Sequence, residues 1–598
     1  MTFCPDDLSN LAICGFHVSL VPCRVNNSKY LFLASFAFAS IAQGEVTLEF
    51  AGAVDAALKE NLRAQLRLGS ETCESPRWRV RRLFQAADKD LIPALRALGF
   101  YRPVVAKELR TEADCWHADF KVDPGKRVTV RKRTVTVQGD MQDDERFTAL
   151  YDALPLVAGA PLHHGQYEEI KTRLRDFATE RGYFDFAITR KELRVYPDES
   201  LADIRIEAQS GPRYRFGELH LSEHRLDDDF LRRLAKIREG EPYDARSLIE
   251  TSRHLNDAGY FRRVEVRALR EARKDGTVPL KIVLEPAARH AWRVGVGYAT
   301  DTGPRGSLRY ENRLLNEHGH RFESELRLSP VESGLTGEYR IPGKNPHRES
   351  YSIGVGALHE DTDTAKSDSL RLIGRQTIKS DPWTQTRFLE LLHERSDFGD
   401  EEVESTLLMP GLGLTRVQAD DMLRTRRGYR ANFEIRGAYE GLVSDATFLQ
   451  LRADIKAIHR FGDGGRIVAR ADAGTTVGDG ASQLPASIRF FAGGDNSVRG
   501  YAYESLGPEN ESGDVVGGRH LLTAGVDYEH PVFGEDWWVA AFADVGNAFD
   551  SDRASMRAGY GVGVRWYSPV GRLRVDLAFP DDTEEDDWRL HIGLGADL

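Results

Sequence analysis

From about His290 onward, apolar or aromatic residues alternate with small or polar ones. The segments Trp292–Tyr298, Tyr351–Ala357 and Gly559–Trp566 show this period most clearly. A period of two is typical of β-strands whose two faces meet different surroundings. The sequence has no apolar run long enough for a membrane-spanning helix. Any membrane insertion must therefore occur through a closed barrel of such strands.

The length of this region predicts the size of the barrel. With one hairpin every ~38 residues, residues 288–598 would hold about 16 antiparallel strands, an even number that leaves both ends of the barrel on one side of the membrane. We expect the first strand near 291–300 and the last near 588–598. The last strand ends on Leu598, whereas outer-membrane barrels commonly end on an aromatic residue.

A repeated motif precedes the barrel region. Leu95–Tyr101, Ala178–Phe184 and Leu255–Phe261 lie about 80 residues apart, and each places a glycine followed by aromatics at the end of a helical pattern. A glycine at that point is typical of a helix C-terminus in the left-handed conformation. The repeats predict three α+β domains, each with the order strand, helix, helix, strand, strand. Their predicted boundaries are 43–125, 126–210 and 211–287.

The first 42 residues read as a leader with a signal peptide. Lys29 precedes the apolar run Tyr30–Ile41, and Ser40 and Ala42 place small residues ahead of Gln43, which predicts cleavage after Ala42. The residues before Lys29 lack signal character, so either translation starts further downstream or the leader is unusually long.

Cleavage at this site leaves two cysteines, Cys73 and Cys115. In an oxidising compartment such a pair is expected to form a disulfide, and two free buried thiols are the alternative.

Composition excludes several functions. The net charge of −12 argues against nucleic acid as a partner, because phosphate binding requires a basic surface. The sequence has no nucleophile elbow, phosphate-binding loop, zinc-protease motif or Cys-x-x-Cys pair, so we predict no enzymatic activity and no cofactor. His163 and His164 are adjacent rather than spaced for one helix face, and we predict no metal site.

One loop inside the barrel region has an unusual composition. Residues 488–501 place Arg499 between a glycine-rich approach and the pair Gly500-Tyr501, with Val498 before it. Glycine permits a sharp turn beside the guanidinium group, and tyrosine offers an amphipathic ring that packs against the turn. The loop therefore indicates an arginine held in a defined place, although an exposed surface arginine is the alternative on these residues alone.

Three repeats followed by a barrel with a Val-Arg-Gly-Tyr loop resemble the POTRA-barrel superfamily of outer-membrane assembly proteins, over essentially the whole mature chain. Within it, three repeats resemble the TamA subfamily, the barrel subunits of the translocation and assembly module. BamA usually carries five repeats and two-partner secretion transporters usually carry two. The resemblance thus implies a fold of periplasmic α+β POTRA repeats followed by a transmembrane antiparallel β-barrel.

The resemblance also implies where Arg499 lies. In the family this loop folds back into the barrel lumen, and its arginine meets acidic residues on the inner wall. Asp544 belongs to a segment, Phe-Ala-Asp-Val-Gly, that matches the family's Phe-x-Asp-x-Gly strand. The second partner would be Asp527 or Glu529. Both lie on the preceding strand, at positions whose side chains point into the barrel. Without the motif, Asp544 would read as a solvated wall carboxylate.

Spaced glycines occur in both closing strands, Gly295 and Gly297 in the first and Gly593 and Gly595 in the last. Glycine weakens a strand, so we expect a seam that opens sideways and lets a substrate strand pair with its exposed edge. The alternative is that these glycines fit the curvature of the barrel.

The function implied by the resemblance is that of the outer-membrane component of a translocation and assembly module. Such a protein would insert or secrete autotransporter-type outer-membrane proteins. The implied partners are TamB, a large inner-membrane-anchored protein bound through the POTRA repeats, together with unfolded outer-membrane proteins and the lipid bilayer. The alternatives are a BamA-like general assembly factor, a two-partner secretion transporter and, less favoured, a passive porin.

Overall fold

The computed structural model describes residues 47–112, 115–398, 401–422, 424–441, 443–462, 464–478, 483–550, 555–568, 571–581 and 588–595. The predicted leader, its cleavage site and Leu598 lie outside these residues. The chain divides into two compact units, of which the first takes in residues up to 132 with 156–166 and 194–203, and the second takes in the rest.

The first repeat contains one more helix than the sequence predicts. Its elements are β1 (Thr47–Gly52), α1 (Ala56–Gln65), α2 (Arg77–Gln85), α3 (Asp88–Ala97), β2 (Val104–Glu112) and β3 (Cys115–Asp123). The prediction of two helices was wrong because Pro76, which has no N–H group to donate, ends the preceding turn and forms the N-cap of α2. The sheet has the order β1-β3-β2, with β1 parallel and β2 antiparallel to β3.

A disulfide joins Cys73 and Cys115. Cys73 lies between α1 and α2, and Cys115 begins β3, so the bond ties the helical layer to the central strand of the sheet. Phe50 of β1 stacks on Phe120 of β3 with ring centroids 5.4 Å apart, at the centre of the hydrophobic core between the two layers.

The next two repeats follow the predicted order. The second comprises β4 (Thr129–Gln138), α4 (Glu145–Asp152), α5 (His164–Arg181), β5 (Ala187–Tyr196) and β6 (Leu201–Gln209). The third comprises β7 (Arg215–Leu221), α6 (Asp228–Ala235), α7 (Ala245–Asp257), β8 (Phe261–Ala268) and β9 (Thr277–Pro286). Their sheets have the orders β4-β6-β5 and β7-β9-β8.

The glycines that follow the last helix of each repeat have the predicted backbone conformation. The φ angles of Gly99, Gly182 and Gly259 are 92°, 86° and 72°. These values lie in the left-handed region that favours glycine, which confirms the predicted helix ends.

Sixteen antiparallel strands form a single sheet after the third repeat, as the alternation predicts. They are β10 (His290–Ala299), β11 (Gly303–Asn312), β12 (Arg321–Leu328), β13 (Glu332–Pro342), β14 (Glu349–Asp361), β15 (Lys366–Ser380), β16 (Trp383–Asp397), β17 (Glu402–Ala419), β18 (Arg427–Ala438), β19 (Phe448–Arg460), β20 (Arg466–Gly478), β21 (His520–Phe533), β22 (Trp537–Phe549), β23 (Arg557–Ser568), β24 (Gly571–Pro580) and β25 (Arg589–Gly595). Each strand pairs with its neighbours in chain order.

The two faces of the barrel wall differ in chemistry. Along β21, Leu522, Val526 and Tyr528 point outward and are exposed, while Asp527 and Glu529 point inward and are buried. The apolar face suits lipid and the polar face lines a lumen. Among the described residues, no helix has the length and apolar character needed to cross a membrane.

The third repeat contacts the barrel directly. The Tyr260 hydroxyl donates a hydrogen bond of 2.5 Å to the Gly319 carbonyl, and the Arg321 guanidinium donates to the Ala258 carbonyl. Arg321 also lies over the Tyr260 ring, 4.0 Å from its centroid. These contacts hold the end of α7 against the turn between β11 and β12.

Candidate functional site: the lumen arginine and the barrel seam

Arg499 is fully buried inside the barrel, on the loop between β20 and β21. Its Nε donates to Asp544 Oδ2 at 2.7 Å, and its Nη2 donates to Asp527 Oδ1 at 2.6 Å. Its Nη1 donates to Asp576 Oδ2 at 2.9 Å, and its backbone N–H donates to Asp544 at 3.2 Å. The guanidinium group therefore meets carboxylates from three different strands, β21, β22 and β24.

An aromatic ring completes the site of this arginine. The guanidinium carbon of Arg499 lies 3.5 Å from the centroid of the Phe542 ring. The negative face of the ring attracts the cation, and the interaction is strong where water is excluded. Because charge, hydrogen bonds and stacking all act on one planar group, the position of the loop is closely defined.

The residues on either side of Arg499 hold the loop in place. Val498 and Tyr501 are buried in an apolar cluster with Phe490, and the Tyr501 hydroxyl donates to Asp581 Oδ1 at 2.6 Å. Gly500 has a φ of 103°, and its N–H donates to Nε2 of His591 at 3.0 Å. All four residues of the predicted motif thus take part in docking the loop.

Glu529, the other predicted partner of Arg499, faces the lumen but pairs with different arginines. Its carboxylate accepts from Arg466 Nε at 2.6 Å, from Arg565 Nε at 3.1 Å and from Arg572. Because side chains alternate along a strand, Glu529 lies two residues beyond Asp527 on the same face and is too far along the wall to share Arg499.

Sequence reasoning missed most of this network. Asp576 is fully buried and pairs with both Arg499 and Arg565, and Arg470 pairs with Asp544 at 2.7 Å. We call these residues the lumen charge network; its members are Arg466, Arg470, Arg499, Arg565, Arg572, Asp527, Glu529, Asp544 and Asp576. The alternation of inward and outward side chains could have revealed them, since charged residues recur at inward positions of five neighbouring strands, β20 to β24.

The barrel is not closed by a ladder. β10 and β25 stand at the two ends of the sixteen-strand order. Within the described ranges, two hydrogen bonds link their edges, from Thr300 N–H to the Ile592 carbonyl at 3.4 Å and from Ile592 N–H to Thr300 Oγ1 at 3.0 Å. The first of these is long for a backbone hydrogen bond. The junction of β10 and β25, called the seam below, is therefore weakly joined.

Exposure of the outer face agrees with an open edge. Val296 on β10 is 87% exposed, whereas Val355 on β14, in the middle of the sheet, is 55% exposed. Both point to the lipid side, so the difference reflects the neighbour that β10 lacks on one side.

A small polar cluster spans the seam. The ring nitrogen Nδ1 of His591 on β25 lies 2.6 Å from Asp495 Oδ1 in the arginine loop. The same carboxylate accepts from Thr300 Oγ1 at 2.9 Å, and the Asp495 N–H donates to Asp301 Oδ2 at 2.7 Å. We call Thr300, Asp301, Asp495 and His591 the seam latch, because they join the loop to both closing strands.

Three members of the latch also have the donor atoms of a metal site. Atoms of Asp301, Asp495 and His591 lie within 4.8 Å of one another. Both ring nitrogens of His591 already have hydrogen-bond partners in Asp495 and the Gly500 N–H. The arrangement is therefore complete as a hydrogen-bonded cluster.

The predicted seam glycines lie on the lumen side of the closing strands. Gly295 and Gly297 face Ser307 and Arg305 of β11, and Gly593 faces the Arg574 guanidinium of β24. Neither closing strand thus presents a bulky lumen side chain at these positions. Thr300 contacts Ile592 across the seam, and Gly295 lies nearer to the start of β10 than Thr300 does. Gly295 therefore does not face Gly593 across the seam.

Family models match three parts of the chain. Residues 306–597 match the Omp85 superfamily domain, residues 47–124 match the POTRA domain TamA domain 1, and residues 214–287 match a POTRA model described as surface antigen variable number repeat.

Curated relatives are distant. The chain is 23% identical over 443 residues to outer membrane protein assembly factor BamA of Nitratidesulfovibrio vulgaris, covering 70% of this chain and 55% of the relative. It is 22% identical over 492 residues to BamA of Neorickettsia risticii, covering 77% of this chain and 64% of the relative. The chain thus spans less than two thirds of the length of these relatives.

A solved structure shares the fold. BamA from Haemophilus ducreyi lacking POTRA domains 1–3 superposes with a TM-score of 0.66 at 15% identity, over 78% of this chain and 100% of that chain. With the sixteen-strand barrel and the matched models, residues 306–597 form an Omp85 superfamily domain that follows POTRA domains at residues 47–124 and 214–287.

Proposed function

We propose that this protein is the outer-membrane component of a translocation and assembly module. It would assist the insertion or secretion of autotransporter-type outer-membrane proteins through the barrel seam, with its POTRA repeats in the periplasm. No step in this function needs a catalytic group, and we propose that the protein is not an enzyme.

The observation that supports the proposal most is the weakly joined seam. Two hydrogen bonds link the edges of β10 and β25 in the described residues, against a continuous ladder between neighbours such as β15 and β16. An unpaired strand edge is a template on which another chain can form a strand. A substrate strand that pairs with β10 would enter the bilayer sideways, with its backbone hydrogen bonds satisfied.

A passive porin is less well supported, because the loop of Arg499 occupies the lumen and is held there by buried ion pairs. Steady conductance through large open pores would favour the porin.

The proposed periplasmic partner is a TamB-like protein anchored in the inner membrane. The match of residues 47–124 to the TamA first POTRA model supports this choice. β2 lies at one edge of the first sheet, where an added strand could pair by augmentation.

A disulfide across the seam tests the mechanism. If β10 and β25 pair antiparallel through Thr300 and Ile592, Ala299 lies opposite Gly593. The double variant Ala299→Cys, Gly593→Cys should therefore form a disulfide when oxidised. In proteoliposomes supplied with an unfolded autotransporter barrel and the partner, oxidation should abolish protease-protected insertion, and a reductant should restore it.

The matched control is Ala453→Cys with Ala473→Cys, which face each other across the ladder of β19 and β20. Oxidation of this pair should leave insertion unchanged. Equal insertion by the oxidised and reduced seam variant would rule out lateral opening as the route.

A BamA-like role in general barrel assembly is the second candidate, because the curated relatives described above are BamA proteins. Purification of the full chain from membranes, followed by mass spectrometry, separates the two. Recovery of a very large membrane-anchored β-rich protein supports the translocation module, and recovery of assembly lipoproteins supports the BamA-like role.

A further inference from the structure

A basic cleft lies where the third repeat meets the barrel. It has a volume of about 1070 Å³ and is bounded by α6, by the segment that follows α6, and by the turn between β13 and β14. Five basic side chains line it: Arg232, Arg233, Lys236, Arg238 and Arg348. None of these residues belongs to the lumen charge network or the seam.

None of the four arginines has a counterion in the part of the chain that the structure describes; Arg233 donates only to the backbone carbonyl of Asp229. Arg232, Arg238 and Arg348 make no ion pair there, and Lys236 reaches Glu250 only at 3.9 Å. The structure thus leaves several cations facing one open space without a negative charge to balance them.

The carboxylates of the cleft do not neutralise it. Asp227 accepts from the Phe230 N–H at 2.9 Å as the N-cap of α6, and Glu239 accepts from the Leu219 N–H at 3.3 Å. Asp229 is the third acidic residue of the lining. The cleft thus contains five cations and three carboxylates, and two of these carboxylates bond to backbone N–H groups. The excess positive charge should attract anions.

The two walls of the cleft are held at a set spacing. The rings of His254 on α7 and His347 in the barrel turn stack with centroids 4.7 Å apart. The Asp227 N–H donates to the Glu317 carbonyl at 2.8 Å. Together with the contacts of Tyr260 and Arg321, these bonds keep the basic residues of the repeat facing those of the barrel turn.

The cleft lies close to the level at which lipid headgroups meet the barrel. Outward aromatic residues follow one another near the POTRA-side ends of five neighbouring strands: Trp292, Tyr310, Phe322, Tyr339 and Tyr351. Such a belt marks the interface between hydrocarbon and headgroups. Arg348 precedes Tyr351 by three residues in the sequence, which places it within about 10 Å of the belt on the headgroup side.

We propose that this cleft binds the phosphate of an anionic lipid headgroup from the leaflet on the POTRA side of the membrane. Arginines arranged around an open cleft suit phosphate oxygens, which accept paired hydrogen bonds from guanidinium groups. The acyl chains would lie against the outer face of β13 and β14, where Leu335 and Ile353 are exposed. This inference does not depend on the proposed function.

Lipid titration by native mass spectrometry of the detergent-purified full chain tests the proposal. The probes are short-chain phosphatidylglycerol, diacylglycerol of the same chain length, and inorganic phosphate. We expect phosphatidylglycerol to bind and diacylglycerol not to bind. The triple variant Arg232→Gln, Arg238→Gln, Arg348→Gln should weaken phosphatidylglycerol binding at least about tenfold, since each basic residue near a membrane surface contributes roughly 1 kcal/mol.

The matched control removes three charges from the same repeat outside the cleft, through Arg262→Gln, Arg263→Gln and Arg267→Gln on β8. Its lipid affinity should remain within about twofold of the unchanged protein. Equal affinities in the two triple variants would overturn the site. Inorganic phosphate binding as tightly as phosphatidylglycerol would overturn the lipid as the source of the phosphate. If the triple variant fails to fold, Arg348→Gln alone, on the barrel turn, should still weaken phosphatidylglycerol binding about fivefold.

Discussion

At the scale of single residues, the barrel concentrates its buried charge around one loop. Arg499 meets three carboxylates and an aromatic ring with no exposed surface, and Arg565 shares two of the same carboxylates. Charges buried in this way are mutually dependent, because removing one leaves its partners without compensation.

Replacement of Arg499 by alanine should therefore destabilise the barrel. We expect a loss of about 3 kcal/mol, because Asp527, Asp544 and Asp576 would each lose a buried cationic partner. The loss can be measured by heating samples before gel electrophoresis, because folded and unfolded barrels migrate differently. The temperature at which the migration changes should be lower for the variant than for the unchanged protein. Arg452→Ala is the control, because its pair with Asp472 is half exposed and should contribute less than about 1 kcal/mol. Equal shifts in the two variants would contradict the account.

A second residue should control docking of the loop without changing any charge. A side chain at Gly559 would overlap the carbonyl oxygen of Arg499, so Gly559→Ala should push the loop out of the lumen. We expect faster trypsin cleavage after Arg499 in folded protein. Gly374→Ala, on β15 with open space around it, serves as the control and should leave cleavage unchanged. A docked loop in Gly559→Ala would show that the close approach is not needed.

At the scale of elements, an ion-pair cluster joins the second and third repeats. Asp144 caps α4 and Asp244 caps α7, and each accepts from the N–H of its own second following residue. Arg181 at the end of α5 bridges them, with Nε 3.0 Å from Asp144 and Nη1 2.7 Å from Asp244. One guanidinium group thus links the N-termini of helices from two repeats.

This cluster should make the repeat junction sensitive to acid. Burial alone would raise the pKa of Asp144, but hydrogen bonds from Arg181, the Arg146 N–H and Tyr183 hold its pKa below the usual value. A carboxylate whose pKa is lower when folded contributes stability above its unfolded pKa of about 3.9 and loses it as the pH falls through the folded pKa. Hydrogen exchange of α5 should therefore show increased opening as the pH drops below about 4.

The variant Asp144→Asn isolates the charge, since asparagine also caps helices. In this variant, α5 should open more readily at neutral pH, and its hydrogen exchange should lose most of its dependence on acid. Asp152→Asn, at the exposed end of α4, should keep the response of the unchanged protein. Loss of the acid response in Asp152→Asn as well would place its origin elsewhere.

Elements differ in how far the sequence predicted them. The strands of the three repeats and the left-handed glycines were predictable because they depend on local periodicity and on one residue's backbone freedom. The additional helix of the first repeat was not predicted. What reads as one helical stretch in the sequence is divided by the turn before Pro76 and by the disulfide between Cys73 and Cys115.

At the scale of the whole molecule, the seam and the loop are coupled. His591 on β25 contacts Asp495 and accepts from the Gly500 N–H, so the loop that carries Arg499 also holds one closing strand. Thr300, which follows the other closing strand, donates to the same carboxylate of Asp495. Opening of the seam therefore requires the latch to release the loop or one of the strands.

The variant His591→Ala should open the seam more often. It removes two hydrogen bonds from the latch, and we expect a rise of about tenfold in transient conductance steps in a planar bilayer. His393→Ala is the control, because His393 lies on β16, away from the seam, and its ring nitrogens lie near Thr406 and Glu404 of the neighbouring strand β17. Identical conductance in both variants would show that the latch does not hold the seam.

The repeats and the number of strands could be predicted from the amino-acid sequence because they follow from periodicity, and the burial of Arg499 was implied by the resemblance to a known family. The third partner of Arg499 could not be predicted in this way, since Arg499 and Asp576 are 77 residues apart and meet because the loop folds back onto β24. The hydrogen bond across the seam between Thr300 and Ile592, which are 292 residues apart, and the basic cleft between α6 and the β13–β14 turn also depend on the tertiary structure. Contacts of this kind depend on strand register and on how the third repeat packs against the barrel, and neither is encoded in a local pattern of residues.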